Sequence, residues 1–361
     1  MIIFKTYQKY LIKKFYYNIF KISFIFLVLG FIMGILEELK FFSDVDVGYY
    51  IPLLLIFLNL PHLIYQIFPF IILLSIMFLF IDLNDKNELI AFKNNGLDNF
   101  KILKLLALTS LFTGIFMVLI FYNVAAVLKF NYLNIKKDFT KDNKYLASIT
   151  ENGLWIKDEN ESNIIFVNAE KIDKKYLIDV NLTILSKEFE YQKTIVSPLI
   201  DISNNLWILK NATILNSDNT DKFNEEIQLI TNFNYDKINN LYSDLTSLTI
   251  WQLKKIKKDY ISINYSTVDI DYQLQKVYSF PIYLLIISIF SVVFMMNINQ
   301  QRSRTAILTL GIFFSVIIYY LNNFFGVIGK NEKIPLIASI WIPLLILFLI
   351  SSIGIIRINE K

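Results

Sequence analysis

The composition of this chain indicates a membrane protein and excludes several kinds of site. Its 361 residues are 55% hydrophobic and only 18% charged, against about a quarter charged in soluble domains, and the mean hydropathy is +0.48. The net charge of +4 is too small to indicate nucleic-acid binding, and the lack of cysteine excludes disulfides, cysteine-bound zinc and thiol catalysis.

Apolar runs long enough to cross a membrane occur near both ends of the chain. About 20 apolar residues are needed to cross roughly 30 Å of hydrocarbon. The predicted spans are residues 17–36, 62–81, 105–127, 277–296, 305–329 and 334–356. The second comes from a longer uncharged run, 51–81, which exceeds one crossing and is too short for two. Pro61 and Pro69 favour an interfacial segment near 51–60, a bend, and then the span.

The stretch LNDKNELIAFKNNG, residues 83–96, is polar yet suited to a short helix. Asn84 or Asp85 can cap its start and Asn95-Gly96 can end it, which predicts a helix over about 85–97. Leu89, Ile90 and Phe92 give that helix an apolar side. A solvated loop is the alternative, because charged loops of this kind also follow the positive-inside bias.

Residues 138–262 predict one all-β domain of the sandwich or jelly-roll type. GLWIKD, SNIIFVN, YLIDVNLTIL, TIVSPLIDI and NLWILKNATIL are rich in strand-forming residues and are separated by turn residues. The segment LTIWQLKKIKKDY then predicts an amphipathic helix before the next span. The expected fold class is a membrane α-helical protein with six spans, three before and three after the inserted β domain.

Lysines and arginines near the span ends predict the orientation. One side carries Lys5, Lys9, Lys13, Lys14, Lys86, Lys93, Lys101, Lys104, Arg302, Arg304, Arg357 and Lys361. The short loops of the other side carry Lys40, Lys330 and Lys333. Both termini and the 83–96 stretch are therefore expected in the cytoplasm, and the β domain outside it. No small-residue cleavage site follows the first apolar run, so we expect it to remain as a span.

The sequence contains no recognisable active site. It lacks a P-loop, a zinc-protease motif and a serine-hydrolase motif, and its one histidine, His62, is best explained as a packed residue near a span end. Asp269 and Asp271 are either an acid pair or, as expected for such positions, solvated acids. No metal and no cofactor are expected. Energy for any transport must come from another protein.

The order and spacing of several motifs resemble one family along nearly the whole chain. The motifs are EELK at 37–40, LPHLIYQIFPFIILLSIMFLF at 60–80, NELIAFKNNGL at 87–97, GLWIKD at 153–158 and IPLIASIWIPLL at 334–345. The chain resembles the lipopolysaccharide-export permease family (LptF/LptG, YjgP/YjgQ-type). GLW and the FFG…IP run at 325–335 look more like LptG. The domains expected from the resemblance and the hydropathy are 1–137, 138–262 and 263–361.

The resemblance implies an inner-membrane ABC transporter subunit without catalytic activity of its own. In such a transporter two permease halves sit on an LptB-like ATPase dimer and draw lipopolysaccharide from the outer leaflet of the inner membrane. The first span of each half lies near the fifth span of the other. LptC-like and LptA-like periplasmic β proteins then receive the lipid. The partner of this chain would be an LptF-like half.

The resemblance also implies which residues act. Glu88, in the position of the family's coupling-helix glutamate, is expected to pair with a basic residue of the ATPase. Leu89 and Phe92 would fill an apolar groove of the ATPase, and Gly96 would end the coupling helix. The expected lipid-binding residues are Lys40, Lys136 and Glu37.

Two other classes remain open on the sequence. A six-span membrane sensor or scaffold would share this topology, but such a protein normally carries a cytoplasmic output segment. A membrane-embedded transferase would need convergent polar groups within its spans, and these spans have almost none.

Overall fold

The structure, a computed structural model, describes most of the chain. The described residues are 5–43, 47–139, 154–159, 163–173, 175–215, 220–222, 226–235, 237–238, 244–262, 265–298 and 303–359. They belong to two compact units. One comprises Met1–Tyr132, Thr246–Ile250 and Val268–Lys361, and the other comprises Leu133–Leu245 and Trp251–Thr267.

Nine α-helices are present in the described parts of the chain. They are α1 (Thr6–Phe41), α2 (Tyr50–Asp85), α3 (Glu88–Asn94), α4 (Asn99–Phe116), α5 (Tyr122–Asp138), α6 (Ile250–Ser262), α7 (Val268–Asn297), α8 (Arg304–Lys330) and α9 (Leu336–Asn359). A π-helical turn, Met117–Phe121, joins α4 to α5, so that these two form one span. The described residues contain six helices long and apolar enough to cross a membrane, which confirms the expected six-span architecture.

The predicted interfacial segment near 51–60 is not a separate element. α2 is a single helix of 36 residues that continues through Pro61 and Pro69. At about 1.5 Å per residue it is about 54 Å long, which exceeds the hydrocarbon thickness. Each proline removes one backbone hydrogen bond, but packing on neighbouring helices compensates for that loss. α2 has that packing, because 72% of its most apolar window is buried.

The membrane helices differ strongly in how much of their surface is covered. In α2 and α7, 72% and 61% of the most apolar window are buried, so these two helices form the core of the unit. The corresponding fractions for α1 and α8 are only 11% and 22%. Small residues allow close contact in the core. A Cβ atom on Gly114 of α4 would lie 2.6 Å from Pro281 Cα of α7.

The second unit is built on one antiparallel sheet between the third and fourth spans. Its strands are β1 (Leu154–Glu159), β2 (Asn163–Asp173), β3 (Tyr176–Ser186), β4 (Tyr191–Asp201), β5 (Leu206–Lys210), β6 (Thr213–Leu215), β7 (Thr220–Lys222) and β8 (Ile227–Ile230). The sheet order is β1-β2-β3-β4-β5-β8, and β6 pairs with both β4 and β7. This inserted β domain agrees with the predicted fold class.

Alternation along the strands produces the core of the β domain. Along β3, Val180, Leu182 and Ile184 are buried while Asp179 and Asn181 are exposed, as expected for side chains that alternate between two faces. Leu177 is also buried although it is out of phase with this pattern, because Asp179, with φ of 51°, interrupts the regular strand between them. Trp207 is fully buried in the core, and its Nε1 donates to the Phe233 carbonyl oxygen over 2.8 Å.

One predicted strand is divided in two. NLWILKNATIL forms β5 and β6, because Asn211 has φ of 53° and turns the chain between them. β4 is long enough to pair with both pieces. Leu199–Asp201 pairs with β5, and Thr194–Val196 pairs with β6. The left-handed region is one that asparagine tolerates better than most residues, so the break has a local cause.

Candidate functional site

The short helix expected between the second and third spans is present, but it begins later than predicted. α3 is Glu88–Asn94 instead of 85–97, because α2 continues as helix through Asp85. Its N-cap residue is Asn87 with φ of 56°, and the Asn87 side chain makes no capping hydrogen bond. The expected cap at Asn84 or Asp85 is therefore wrong.

The end of α3 agrees with the prediction. The Asn95 backbone N–H donates to the Ala91 carbonyl oxygen over 3.1 Å, and the Asn95 side chain donates to the same oxygen over 2.7 Å. Gly96 follows with φ of +77°, in the region that favours glycine. The chain can then turn into α4, whose first turn is capped by Asp98.

Glu88 at the start of α3 is bonded to α1. Tyr10 Oη donates to Glu88 Oε2 over 2.7 Å, and Lys14 Nζ lies 3.2 Å from the same oxygen. Tyr10 and Lys14 are four residues apart, so both point from one face of α1. Phe92 adds an edge-on contact with the Tyr10 ring, with 6.4 Å between ring centroids. The Glu88 carboxylate and the Phe92 ring thus both bind α3 to α1.

The surroundings of Glu88 favour its charged form. Partial burial raises the pKa of Glu88, but the hydrogen bonds from Tyr10 and Lys14 and the charge of Lys14 together outweigh it. The pKa of Glu88 therefore lies below its ordinary value of 4.5. The Glu88 side chain is 26% exposed, so it remains reachable from outside the chain.

The apolar residues of α3 are arranged differently from the expectation. Leu89 is only 4% exposed, so it anchors α3 to its own chain and does not form an outer surface. Phe92 is half-buried beside Tyr10. Ile90 is the apolar side chain of α3 that faces outward, with 51% of it exposed. The sequence does not show which side of α3 is buried, because seven residues contain too little periodicity for that.

A second ion pair lies where α2 ends, close to α3 in sequence. Arg304 Nη2, at the start of α8, lies 2.8 Å from Asp85 Oδ2. Asp85, Arg304 and Leu89 also line a small cavity of about 40 Å³. The segment containing Asp85 and Glu88 is therefore joined to α8 by one ion pair and to α1 by the other. Neither pairing could be predicted from local sequence patterns, since the partners are distant along the chain.

The opposite end of α1 carries the acidic and basic residues of the EELK motif. Lys40 and Glu37 are both exposed in the last turns of α1, three residues apart. The neighbouring Glu38 is buried instead, and Tyr132 Oη donates to its Oε1 over 2.8 Å. Sequence reasoning missed Glu38, because the motif alone does not show which glutamate faces inward.

Lys136 does not lie on the surface. It is among the largest fully buried side chains, with 2% of it exposed. In this conformation a lipid cannot reach its ammonium group. Lys136 therefore differs in burial from Glu37 and Lys40, which are both exposed.

The remaining candidate residues are explained by local contacts. His62 is 5% exposed, and its Nε2 lies 2.8 Å from Gln66 Nε2 and 3.3 Å from Lys129 Nζ. Asp269 pairs with Lys330 over 2.8 Å at the start of α7. Among the described residues, no three histidine, aspartate or glutamate side chains are grouped in a way that could hold a metal ion.

A comparison with known protein families gives one match. The family model described as "Lipopolysaccharide export system permease LptF/LptG" matches residues 9–357. The chain belongs to this family. No curated protein matches the chain.

Membership defines the general role of the molecule. As an LptF/LptG protein, the chain is a multi-pass membrane protein and a permease of lipopolysaccharide export. The match covers all six spans and the inserted β domain, so both units belong to the family architecture. The family description covers both subunit types and does not separate an LptG from an LptF.

Proposed function

We propose that this chain is one of two permease halves of an ABC transporter that extracts lipopolysaccharide from the outer leaflet of the inner membrane. The observation that carries the proposal is the family match over residues 9–357. The second half would be an LptF-like protein. LptC-like and LptA-like β proteins in the periplasm would receive the lipid from the complex.

Active transport by this chain requires a partner that hydrolyses ATP. The sequence has no P-loop, so the energy would come from an LptB-like ATPase dimer on the cytoplasmic side. α3 is the proposed contact with that dimer. Glu88 Oε2 accepts both bonds from α1, while Oε1 accepts none from the residues that the structure describes. A carboxylate has about four acceptor sites, so Glu88 can bond a basic residue of the ATPase while it stays bonded to α1.

Two contacts would carry the motion of the ATPase to the spans. The pair Glu88–Lys14 links the α3 segment to α1, and the pair Asp85–Arg304 links it to α8. α1 and α8 are the least buried of the longer spans, at 11% and 22% of the most apolar window. These are the first and fifth spans, which we propose face the other permease half across the lipid-holding lumen.

Lipid binding is proposed for the exposed end of α1. Lys40 would attract the phosphate groups of lipid A by charge and hydrogen bonding. Glu37, one turn earlier on the same face, would bond hydroxyl or ammonium groups of the lipid. The burial of Lys136 excludes it from direct contact in this conformation, so a role for Lys136 would require a movement of α5.

The orientation in the proposal has its own test. Both termini and α3 would be cytoplasmic, and the β domain periplasmic, as the distribution of lysine and arginine predicts. A reporter after Asn94 or at Lys361 should be active in the cytoplasm, and one near Asn219 in the periplasm. Asn219 and Lys361 lie outside the residues that the structure describes. A reporter near Asn219 that is active in the cytoplasm would contradict the proposed transport function.

Purification of the full-length chain from its native membrane tests the proposed partners. An ATPase and a second LptF/LptG protein should copurify, and lipopolysaccharide should stimulate ATP hydrolysis by the complex. Copurification of a kinase or a transcription regulator in place of an ATPase would favour the alternative of a membrane sensor.

A further inference from the structure

A basic stripe along α6 has no part in the proposed transport function. The stripe consists of Trp251, Lys254, Lys255, Lys258 and Ile261. All five side chains are exposed, and their spacing of three and four residues places them on one side of the helix. The opposite side packs inward, with Leu253, Ile256 and Tyr260 buried. α6 is therefore a helix with one buried apolar face and one exposed basic face.

The start of α6 is bonded to the third membrane span. Tyr122 Oη donates to the Leu248 carbonyl oxygen over 3.0 Å, and the Ile250 N–H donates to Asn123 Oδ1 over 3.2 Å. Tyr122 and Asn123 lie within the apolar run 105–127, and at 1.5 Å per residue they are within about 8 Å of its end. Trp251 comes directly after Ile250, so the stripe begins close to the level of the lipid headgroups.

The end of α6 is tethered to the fourth span by a short connection. Only five residues separate Ser262 from Val268, the first residue of α7. Such a connection reaches at most about 20 Å even when extended. α6 itself is about 20 Å long. Both ends of α6 are thus connected to membrane spans over short stretches of chain, which allows the helix to lie along the membrane surface.

The chemistry of the stripe fits an anionic membrane surface. Tryptophan prefers the boundary between hydrocarbon and water, and lysine stems can lie along that boundary while their ammonium groups reach phosphates. Lys254 Nζ lies 5.5 Å from the centroid of the Trp251 ring, so cation and ring form one contact surface. α6 contains four lysines and a single acid, Asp259. Each lysine near an anionic surface strengthens attachment about fivefold.

We propose that α6 is an interfacial helix whose stripe binds the phosphate groups of anionic phospholipids. These lipids lie in the leaflet on the side where the chain enters the β domain. The stripe would bind lipids of the surrounding bilayer, whichever lipid the chain transports.

Fluorescence of Trp251 in the full-length protein tests the inference. The chain has four tryptophans, so the emission of Trp251 is obtained as the difference between the wild type and Trp251→Phe. The protein is placed in nanodiscs of phosphatidylglycerol or of phosphatidylcholine. In phosphatidylglycerol we expect the Trp251 emission to be shifted to the blue, shielded from iodide and quenched by lipids spin-labelled near the headgroup. The shift and the shielding should be smaller in phosphatidylcholine.

Variants that change the charge of the stripe test whether its lysines cause the lipid dependence of the Trp251 emission. The triple variant Lys254→Glu, Lys255→Glu, Lys258→Glu should lose the preference for phosphatidylglycerol. A matched triple variant on exposed lysines of the β domain, Lys171→Glu, Lys175→Glu, Lys187→Glu, should keep it. If the first variant does not insert, the corresponding glutamine variant removes charge without reversing it and should show a smaller loss.

Three results would overturn the inference. The first is equal iodide access to Trp251 in both lipids. The second is a glutamine or glutamate variant of the stripe that retains the wild-type preference. The third is a Trp251 signal that responds to added lipopolysaccharide but not to phosphatidylglycerol, because the occupant would then be the transported lipid.

Discussion

Glu88 bonds two residues of its own chain, and we propose that it also bonds the ATPase. Its carboxylate accepts from Tyr10 and Lys14 on one oxygen, which fastens α3 to α1. If the other oxygen bonds a basic residue of the ATPase, removal of the charge leaves that residue buried and unpaired. Such a loss typically costs about 2–5 kcal/mol.

The first prediction therefore concerns the charge of Glu88. Glu88→Gln preserves the shape of the side chain and an acceptor for Tyr10, and it should reduce retention of the ATPase during purification by about tenfold or more. Asp98→Asn is the matched control, because it makes the same chemical change in the same loop and keeps the cap of α4. Wild-type retention of the ATPase by Glu88→Gln and also by Glu88→Ala would show that Glu88 serves only its own chain.

The internal bonds of Glu88 can be tested separately, through their dependence on pH. The pKa of Glu88 is lowered in the folded protein, so its bonds stabilise α3 above the ordinary value of 4.5 and are lost as pH falls through the folded pKa. The distance between spin labels placed on α1 and α3 should thus be constant around neutral pH and increase in acid below that value. With Tyr10→Phe the distance should already be more broadly distributed at neutral pH. An increase that begins above the ordinary value would contradict this assignment.

Lys40 supports a prediction about the lipid. It is exposed at the end of α1, and Lys40→Ala should reduce both crosslinking to lipopolysaccharide and stimulation of ATP hydrolysis by lipopolysaccharide. Lys40→Arg should retain most of both signals, because arginine keeps the charge and binds phosphate well. Lys333→Ala, at another exposed lysine of a short loop, is the control. If Lys40→Ala matches the control in both measurements, Lys40 is not a lipid ligand.

At the scale of the element, α3 has an inner and an outer apolar residue, and the two should respond differently to substitution. Leu89→Ala removes a buried side chain, which typically costs about 2–5 kcal/mol, so it should lower the thermal stability of the purified permease. Ile90→Ser changes a half-exposed side chain and should leave that stability nearly unchanged while it weakens ATPase binding. The reverse pattern, a destabilising Ile90→Ser with normal ATPase binding after Leu89→Ala, would show that α3 is oriented differently.

The elements also show what the sequence could and could not predict. Long apolar runs predicted the spans correctly, because the lipid requirement acts on every residue of a span. Pro61 and Pro69 suggested two separate segments where α2 is one continuous helix, since packing by neighbouring helices outweighs two lost hydrogen bonds. Gly96 was predicted well because its role depends on one local dihedral angle. The burial of Leu89 and the partners of Glu88 depend on residues far along the chain, and local patterns do not contain that information.

At the scale of the whole molecule, each unit suits a different part of the proposed transport. The membrane unit has two well-buried spans, α2 and α7, and two sparsely buried ones, α1 and α8, which leaves large apolar faces for a second permease half or for lipid. The β domain has an apolar core of its own, which includes the fully buried Trp207. The proposal assigns the source of energy for transport to the ATPase.

The most direct test of the account is ATP-dependent release of lipopolysaccharide from proteoliposomes. The vesicles contain the full-length chain with its copurified ATPase and second permease half, and an LptA-like protein outside them accepts the lipid. The account predicts transfer of lipopolysaccharide to the acceptor with ATP, no transfer with a nonhydrolysable analogue, and strongly reduced transfer with Glu88→Ala. A complex that hydrolyses ATP at a normal rate but transfers no lipopolysaccharide under any of these conditions would contradict it.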